Sequence, residues 1–150
     1  MRAVIQRVSE ASVSIGGEEH GSIAHGFVIL LGIEESDEED DALWLAGKVA
    51  KMRVFADEEG HMNLSLGEVD GRVLVVSQFT LHAATKKGNR PSFIRAARPE
   101  KAIPLYERFI VLLGAETGNK VETGQFGADM QVSLVNDGPV TIWMDSKARE

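Results

Sequence analysis

The sequence predicts an α/β fold: mixed β-sheets with two helices covering one side, a three-layer α/β/β arrangement built by a single domain over residues 1–150. Three observations lead there. Apolar patterns follow one another as strands, a helix, strands, a second helix and strands, an order that lets both helices bury their stripes on a shared sheet. Two segments carry apolar residues at helical spacing with charged residues between them. Finally, 150 residues, 43% hydrophobic and 26% charged, with no repeat or low-complexity linker, suit one core.

In the first segment Ala11, Val13 and Ile15 alternate with Ser12 and Ser14 before Gly16-Gly17, which reads as a strand entering a hairpin. A second strand through Ser22–Ala24 and a third over Phe27–Ile33 follow, the third apolar enough to be buried on both faces. Ser36 with Glu39 three positions later reads as a capping box. The acidic run 34–41 then suits a helix start, Lys48 and Lys51 suit its end, and Ala42, Leu45, Val49 and Met52 form its stripe. Arg53-Val54-Phe55 and Val73–Val76 read as strands, with a turn at Asp57–Gly60. A second helix begins near Pro99 and stops at Gly114, carrying Ile103, Tyr106, Phe109, Ile110 and Leu113, with Pro104 as an irritant in its first turns. Met130–Val135 and Val140–Met144 read as two strands flanking a tight connection at Asn136–Pro139. Trp44 and Trp143 are expected in the core.

The chain has no cysteine, which excludes disulfides, a cysteine nucleophile and thiolate metal sites and fits a reducing, cytoplasmic setting. Its longest apolar run, Phe27–Leu31, is too short to span a membrane. The four histidines are scattered, and no phosphate-cradling loop, dinucleotide fingerprint or nucleophile elbow occurs, so neither metal nor cofactor is expected. A net charge of −7 argues against nonspecific coating of nucleic acid, DNA included. The segment from His82 to Lys101 departs from that average, with six Lys or Arg against Glu100 alone. Within it, Lys86, Lys87 and Arg90 beside Gly88 and Phe93 suit either a grip on a single-stranded RNA end or a solvated loop.

Two stretches place polar residues where apolar strands end. Ser77-Gln78-Phe79-Thr80 offers hydroxyls, an amide and strand-end N–H groups suited to an oxyanion; residue type alone favours the plainer reading, in which its hydroxyls only bond the following loop. Asn136-Asp137-Gly138-Pro139-Val140-Thr141 contains an X-Pro bond. If cis, it aims two consecutive carbonyls in a fixed direction; residue type alone favours a trans proline in a hairpin, since only about 5–6% of such bonds are cis. Arg7, within the first strand, is either an edge residue or an inward brace on a carbonyl.

Taken together, Ser77–Thr80 and Asn136–Thr141 resemble the two signatures of the D-aminoacyl-tRNA deacylase family, and the similarity extends through Gln6-Arg7-Val8, Met62-Asn63-Leu64, Arg90–Phe93 and Ala128–Met130. The resemblance implies a hydrolase that cleaves the ester of D-aminoacyl-tRNA, and of mischarged glycyl-tRNA, releasing the free amino acid. It also implies a homodimer in which a cis Gly138-Pro139 enters the partner's site and rejects L-amino acids. Catalysis then falls to Ser77, Gln78, Phe79 and Thr80, and substrate selection to Gly138, Pro139, Asn136 and Arg7. Lys86, Lys87 and Arg90 are left to hold tRNA. The base remains open between water assisted by the substrate's 2′-hydroxyl and a side chain, Asp137 or His82. Two rival readings are a small-molecule esterase or amidase using Thr80 and a non-enzymatic dimer that binds tRNA ends.

Overall fold

The opening alternation grows into one 14-residue strand, β1 (Arg2–Ile15), because its apolar side chains meet two different neighbours in turn. The computed structural model describes residues 1–150. The first half of β1 pairs antiparallel with β3 (Gly26–Gly32), and its second half with β2 (Glu18–Ile23). Beyond β3 lie β6 (Arg72–Ser77) and β7 (Val121–Thr123), each parallel to its predecessor. Parallel neighbours need crossovers, and these carry the helices α1 (Glu39–Lys51) and α2 (Pro99–Thr117). Both crossovers step the same way along the sheet, so right-handed connection puts both helices on one face.

That face holds the main core: Ala3, Ile5, Phe27, Ile29, Leu31, Val73 and Val75 from the strands against Leu45, Val49, Phe109 and Leu113. Alternate residues Val28, Leu74 and Val76 point the other way and meet Val8, Ala11, Val13 and Ile23, with Leu134 beside them. The bent half of β1 thus folds over the sheet's second face with β2, leaving a nearly closed mixed sheet in a single α/β domain. Phe27–Leu31 is buried on both faces, as its composition requires. No helix is long and apolar enough to cross a membrane.

Five local expectations give way to tertiary contacts. The cap of α1 is Glu38, reciprocated by Asp41, not Ser36 with Glu39; the Ser36 hydroxyl donates to Glu34 instead. Gly114 lies inside α2, which ends where Gly118 takes a left-handed conformation (φ 69°) and its N–H reaches the Gly114 carbonyl at 2.9 Å. Pro104, by contrast, comes as expected a few residues after that helix begins: it is the sixth residue of α2, faces solvent, and leaves the Glu100 carbonyl without a donor from position 104. Arg53–Phe55 yields only a short ribbon, β4 (Phe55–Ala56) with β5 (Met62–Leu64), around the expected turn. Asn136–Pro139 is not a hairpin: β8 (Gln131–Asp145) runs antiparallel to β1 along almost its whole length. Trp143 on β8 is 52% exposed, outside the core, with the Arg2 guanidinium over its ring.

Candidate active site

β6 ends at Ser77 opposite Leu31, and the Gln78 N–H extends the ladder by donating to the Leu31 carbonyl at 2.8 Å. The chain then tightens into a 3-10 turn, Phe79–His82, whose opening bond runs from the Leu81 N–H to the Gln78 carbonyl. Such a turn leaves the N–H groups of its first two residues, Phe79 and Thr80, without an intrahelical acceptor. Gly32 permits the turn to lie this close to β3, since a Cβ there would stand 2.8 Å from the Gln78 carbonyl oxygen and 3.0 Å from Leu81 Cβ. Arg2 fastens it from β1, its Nη1 donating to the Leu81 carbonyl at 2.9 Å.

Gln78 Nε2 donates to Thr80 Oγ1 at 2.5 Å. An amide is no base, so this contact orients the hydroxyl without activating it. His82 follows in sequence but is 1% exposed beneath the turn, with neither ring nitrogen hydrogen-bonded. Burial holds its imidazole below the usual pKa, and the ring does not reach the outer surface. Nearby Glu34 pairs with Arg95 at 2.8 Å; burial pushes its carboxyl up, and Arg95, His82 and the Ser36 hydroxyl together outweigh this, leaving it below the usual value.

Two hollows flank the turn. One of about 240 Å³ lies between Ser77–Phe79 and a wall formed by Gly127, Ala128 and Met130. A smaller apolar slot, about 60 Å³, reaches behind Gln78 to Phe126 and Ala102. Phe79 is 56% exposed and meets Phe93 edge to face. The loop carrying Lys86, Lys87 and Arg90 starts directly after the turn and is closed at its base by paired backbone bonds between Ala84 and Ser92.

The second signature forms a different structure. Between Asn136, opposite Val8, and Thr141, opposite Gln6, β8 throws out a bulge containing Asp137, Gly138 and Pro139. Asn136 closes its base, its Oδ1 accepting from the Val140 N–H at 2.8 Å and its Nδ2 donating to Thr141 Oγ1 at 2.9 Å. Arg7 points inward as a brace: Nε donates to the Asp137 carbonyl at 3.0 Å and Nη1 to the Val54 carbonyl at 2.5 Å. Gly138 has φ 139° and lies so tightly that a Cβ would stand 2.8 Å from Val140 Cγ2 and 3.1 Å from Arg7 Nη2. The Gly138-Pro139 peptide is cis, opposite to what residue type alone favours and in agreement with the resemblance. Gly138 and Pro139 are both exposed.

The predicted residues therefore fall into two groups. Ser77–Thr80 and the Lys86–Arg90 loop share one end of the sheet, whereas Arg7, Asn136, Gly138 and Pro139 lie together midway along the β1–β8 pair. The bulge and the turn of one chain are separated by three strand spacings and about four residues of strand, roughly 20 Å along the sheet. The sequence assigns no role to the Gly127–Met130 wall, and it places Phe93 with the basic loop without showing that its ring packs on Phe79. The quoted Ala128-Asp129-Met130 and Arg90–Phe93 stretches were the available signals.

The family model described as D-Tyr-tRNA(Tyr) deacylase matches residues 4–145. A D-aminoacyl-tRNA deacylase of Akkermansia muciniphila is 66% identical over all 150 residues, covering the whole of both chains, and one of Flavobacterium johnsoniae is 59% identical over the same span. Among solved structures, a c-Myc DNA unwinding element binding protein superposes with a TM-score of 0.92 at 41% identity, covering 99% of this chain and 100% of its own. A probable eukaryotic D-amino acid tRNA deacylase, 16% identical, superposes at 0.79 over 95% of this chain and 97% of its own, a likeness of fold. A full-length match joined to both signatures leaves one assignment: the chain belongs to the D-Tyr-tRNA(Tyr) deacylase family and is a hydrolase of that type.

Proposed function

We propose that the chain acts as a chiral proofreader, hydrolysing the ester of D-aminoacyl-tRNA at the Phe79–Thr80 turn. The observation carrying this reading is the pair of Phe79 and Thr80 amides left without partners at an exposed strand end, beside a hollow and with no His, Lys, Asp or Glu in the Ser77–Thr80 segment itself. Water adds to the ester carbonyl, and the negative charge on its oxygen is met by those two N–H groups. The carbonyl–ribose bond then breaks, and the ribose oxygen takes up a proton. The substrate's vicinal 2′-hydroxyl relays that proton from the attacking water, since Thr80 is fixed by Gln78, His82 is buried and the Asp137 carboxylate of the bulge is drawn to Arg7 at 3.4 Å. Products are the free amino acid and tRNA.

Selection uses the bulge of a second copy in a cytoplasmic homodimer of three-layer domains. Within one chain Gly138 and Pro139 stand too far from Phe79, and their outward exposure suits insertion into the partner's hollow. β8 pairs only with β1, so its outer edge is open along 15 residues, an arrangement that favours association. The Gly138 and Pro139 carbonyls hold the substrate ammonium, and Arg7 and Asn136 fix the bulge. Side chains are then admitted in one direction only; glycine, having none, is hydrolysed slowly. The 41% identical structure is named for binding DNA; for this chain the charge of −7 confines nucleic-acid contact to the basic segment after the turn.

The test is release of tyrosine from D-tyrosyl-tRNA and L-tyrosyl-tRNA by purified protein. Rapid release of the D-form alone is expected; equal rates on both would remove the proofreading reading.

A further inference from the structure

Phe79 and Phe93 stand side by side at the surface, 56% and 37% exposed, with ring centroids 5.2 Å apart and planes at 81°. Leaving two adjacent phenyl faces in water is unfavourable, and such a patch ordinarily marks a contact. The segment bearing Phe93 is held firmly. Ser92 pairs with Ala84, the Ala96 N–H bonds the Phe93 carbonyl at 3.0 Å, the Ala97 N–H bonds the Ile33 carbonyl at 2.9 Å, and Arg95 is clamped by Glu34. Charge then identifies the occupant. Residues 83–99 contain Lys86, Lys87, Arg90, Arg95 and Arg98 and no acid, in a chain of net charge −7. Of these, Arg95 pairs with Glu34, while Lys86, Lys87 and Arg90 lie exposed on the loop that begins at Ala84 and ends at Phe93.

We propose that the Phe79–Phe93 pair is a stacking platform for the nucleobase preceding the terminal adenosine of the RNA, with Lys86, Lys87 and Arg90 taking the phosphates behind it. The proposal rests on the deacylase reading above. The hollow of about 240 Å³ beside Ser77–Phe79 takes the terminal nucleoside with its ester, which leaves the outward-facing ring pair to the next base along the single strand and the cations to the phosphates beyond it. Phe79 joins the first two, its N–H facing the ester and its ring facing Phe93.

The experiment compares D-tyrosyl-tRNA with D-tyrosyl-adenosine, which lacks the preceding nucleotide, on the wild type, Phe93→Ala and Phe93→Tyr. For Phe93→Ala, KM on the tRNA should rise about tenfold, the loss expected for one stacked base, with kcat held. KM on D-tyrosyl-adenosine should stay put, and Phe93→Tyr should restore the tRNA value. A tRNA carrying fluorescent pyrrolocytidine at the penultimate position should be quenched on binding wild type and Phe93→Tyr but not Phe93→Ala. Equal changes on both substrates, no change on either, or dissociation of the Phe93→Ala protein into monomers would each overturn the platform. A wild type inactive on both substrates sinks the deacylase reading instead, and the quenching measurement, which needs no turnover, still decides the platform.

Discussion

Replacing Arg7 with Met keeps an apolar stem along β1 and deletes the guanidinium that fixes the Gly138-Pro139 bulge. The two bonds it removes, to the carbonyls of Asp137 and Val54, are charge-assisted and lie where the Arg7 side chain is only 13% exposed. Each such bond contributes about 1.5–3 kcal/mol. The accompanying ion pair with the Asp137 carboxylate, at 3.4 Å and 57% exposed, adds under about 1 kcal/mol. Of these contacts, those with Asp137 hold the bulge and the Val54 bond anchors the guanidinium to the core side. A loss of about 2 kcal/mol on the bulge lowers the population of its held state up to about 30-fold. Single-turnover deacylation of D- and L-tyrosyl-tRNA, with urea unfolding as a check on the fold, reads this directly. Arg7→Met should lose up to about 30-fold in kcat/KM on the D-substrate and narrow the D/L ratio. Arg7→Lys should fall between, because an ammonium is a point donor and cannot span two carbonyls like a fork. A folded Arg7→Met protein with wild-type rate and ratio would refute the brace.

Thr80→Ala should keep substantial activity, within about tenfold, because the Thr80 amide survives the substitution and the hydroxyl is only oriented by Gln78; a folded variant with no turnover would restore the nucleophile reading. Neutralising Lys86, Lys87 and Arg90 together should flatten the dependence of tRNA binding on salt by up to about three counterions, and an unaltered slope would make the loop mere surface. Burial pushes the Asp41 carboxyl up, but Lys147, the Glu38 N–H and Ser146 outweigh it and bring it to about 2, below the ordinary 3.8. Because the folded value is the lower one, its stabilisation is fully present above about pH 4 and is lost as pH falls toward 2. Acid-unfolding curves should therefore show Asp41→Asn less stable than wild type at about pH 6 and the two converging near pH 2; parallel curves throughout would contradict the pairing.

Much of the fold was legible locally. The buried pattern of Phe27–Leu31, the stripe of α1 and the start of α2 at Pro99 depend on neighbours two to four positions away, and those the sequence displays. Ser36 and Glu39 match the short capping-box pattern, yet Glu38 and Asp41, which do not match it, make the reciprocal contacts once the chain is folded. Gly114 misled because a glycine inside a long, well-packed helix costs only about 1 kcal/mol, less than the packing of Leu113 and the final turn returns.

By itself, then, the sequence determined the chemistry available: backbone amides at Ser77–Thr80, a Gly-Pro element at 138–139, a basic stretch at 86–90, and the family that combines them. Only the tertiary structure decided that Asn136–Thr141 is a bulge on a continuous strand, that Arg7 reaches across to brace it, and that the bulge stands apart from the turn in the same chain. Those facts depend on β1 pairing with β8 across more than 100 residues of chain. Strand partnership over such separations is set by which surfaces bury each other, and no local periodicity records it.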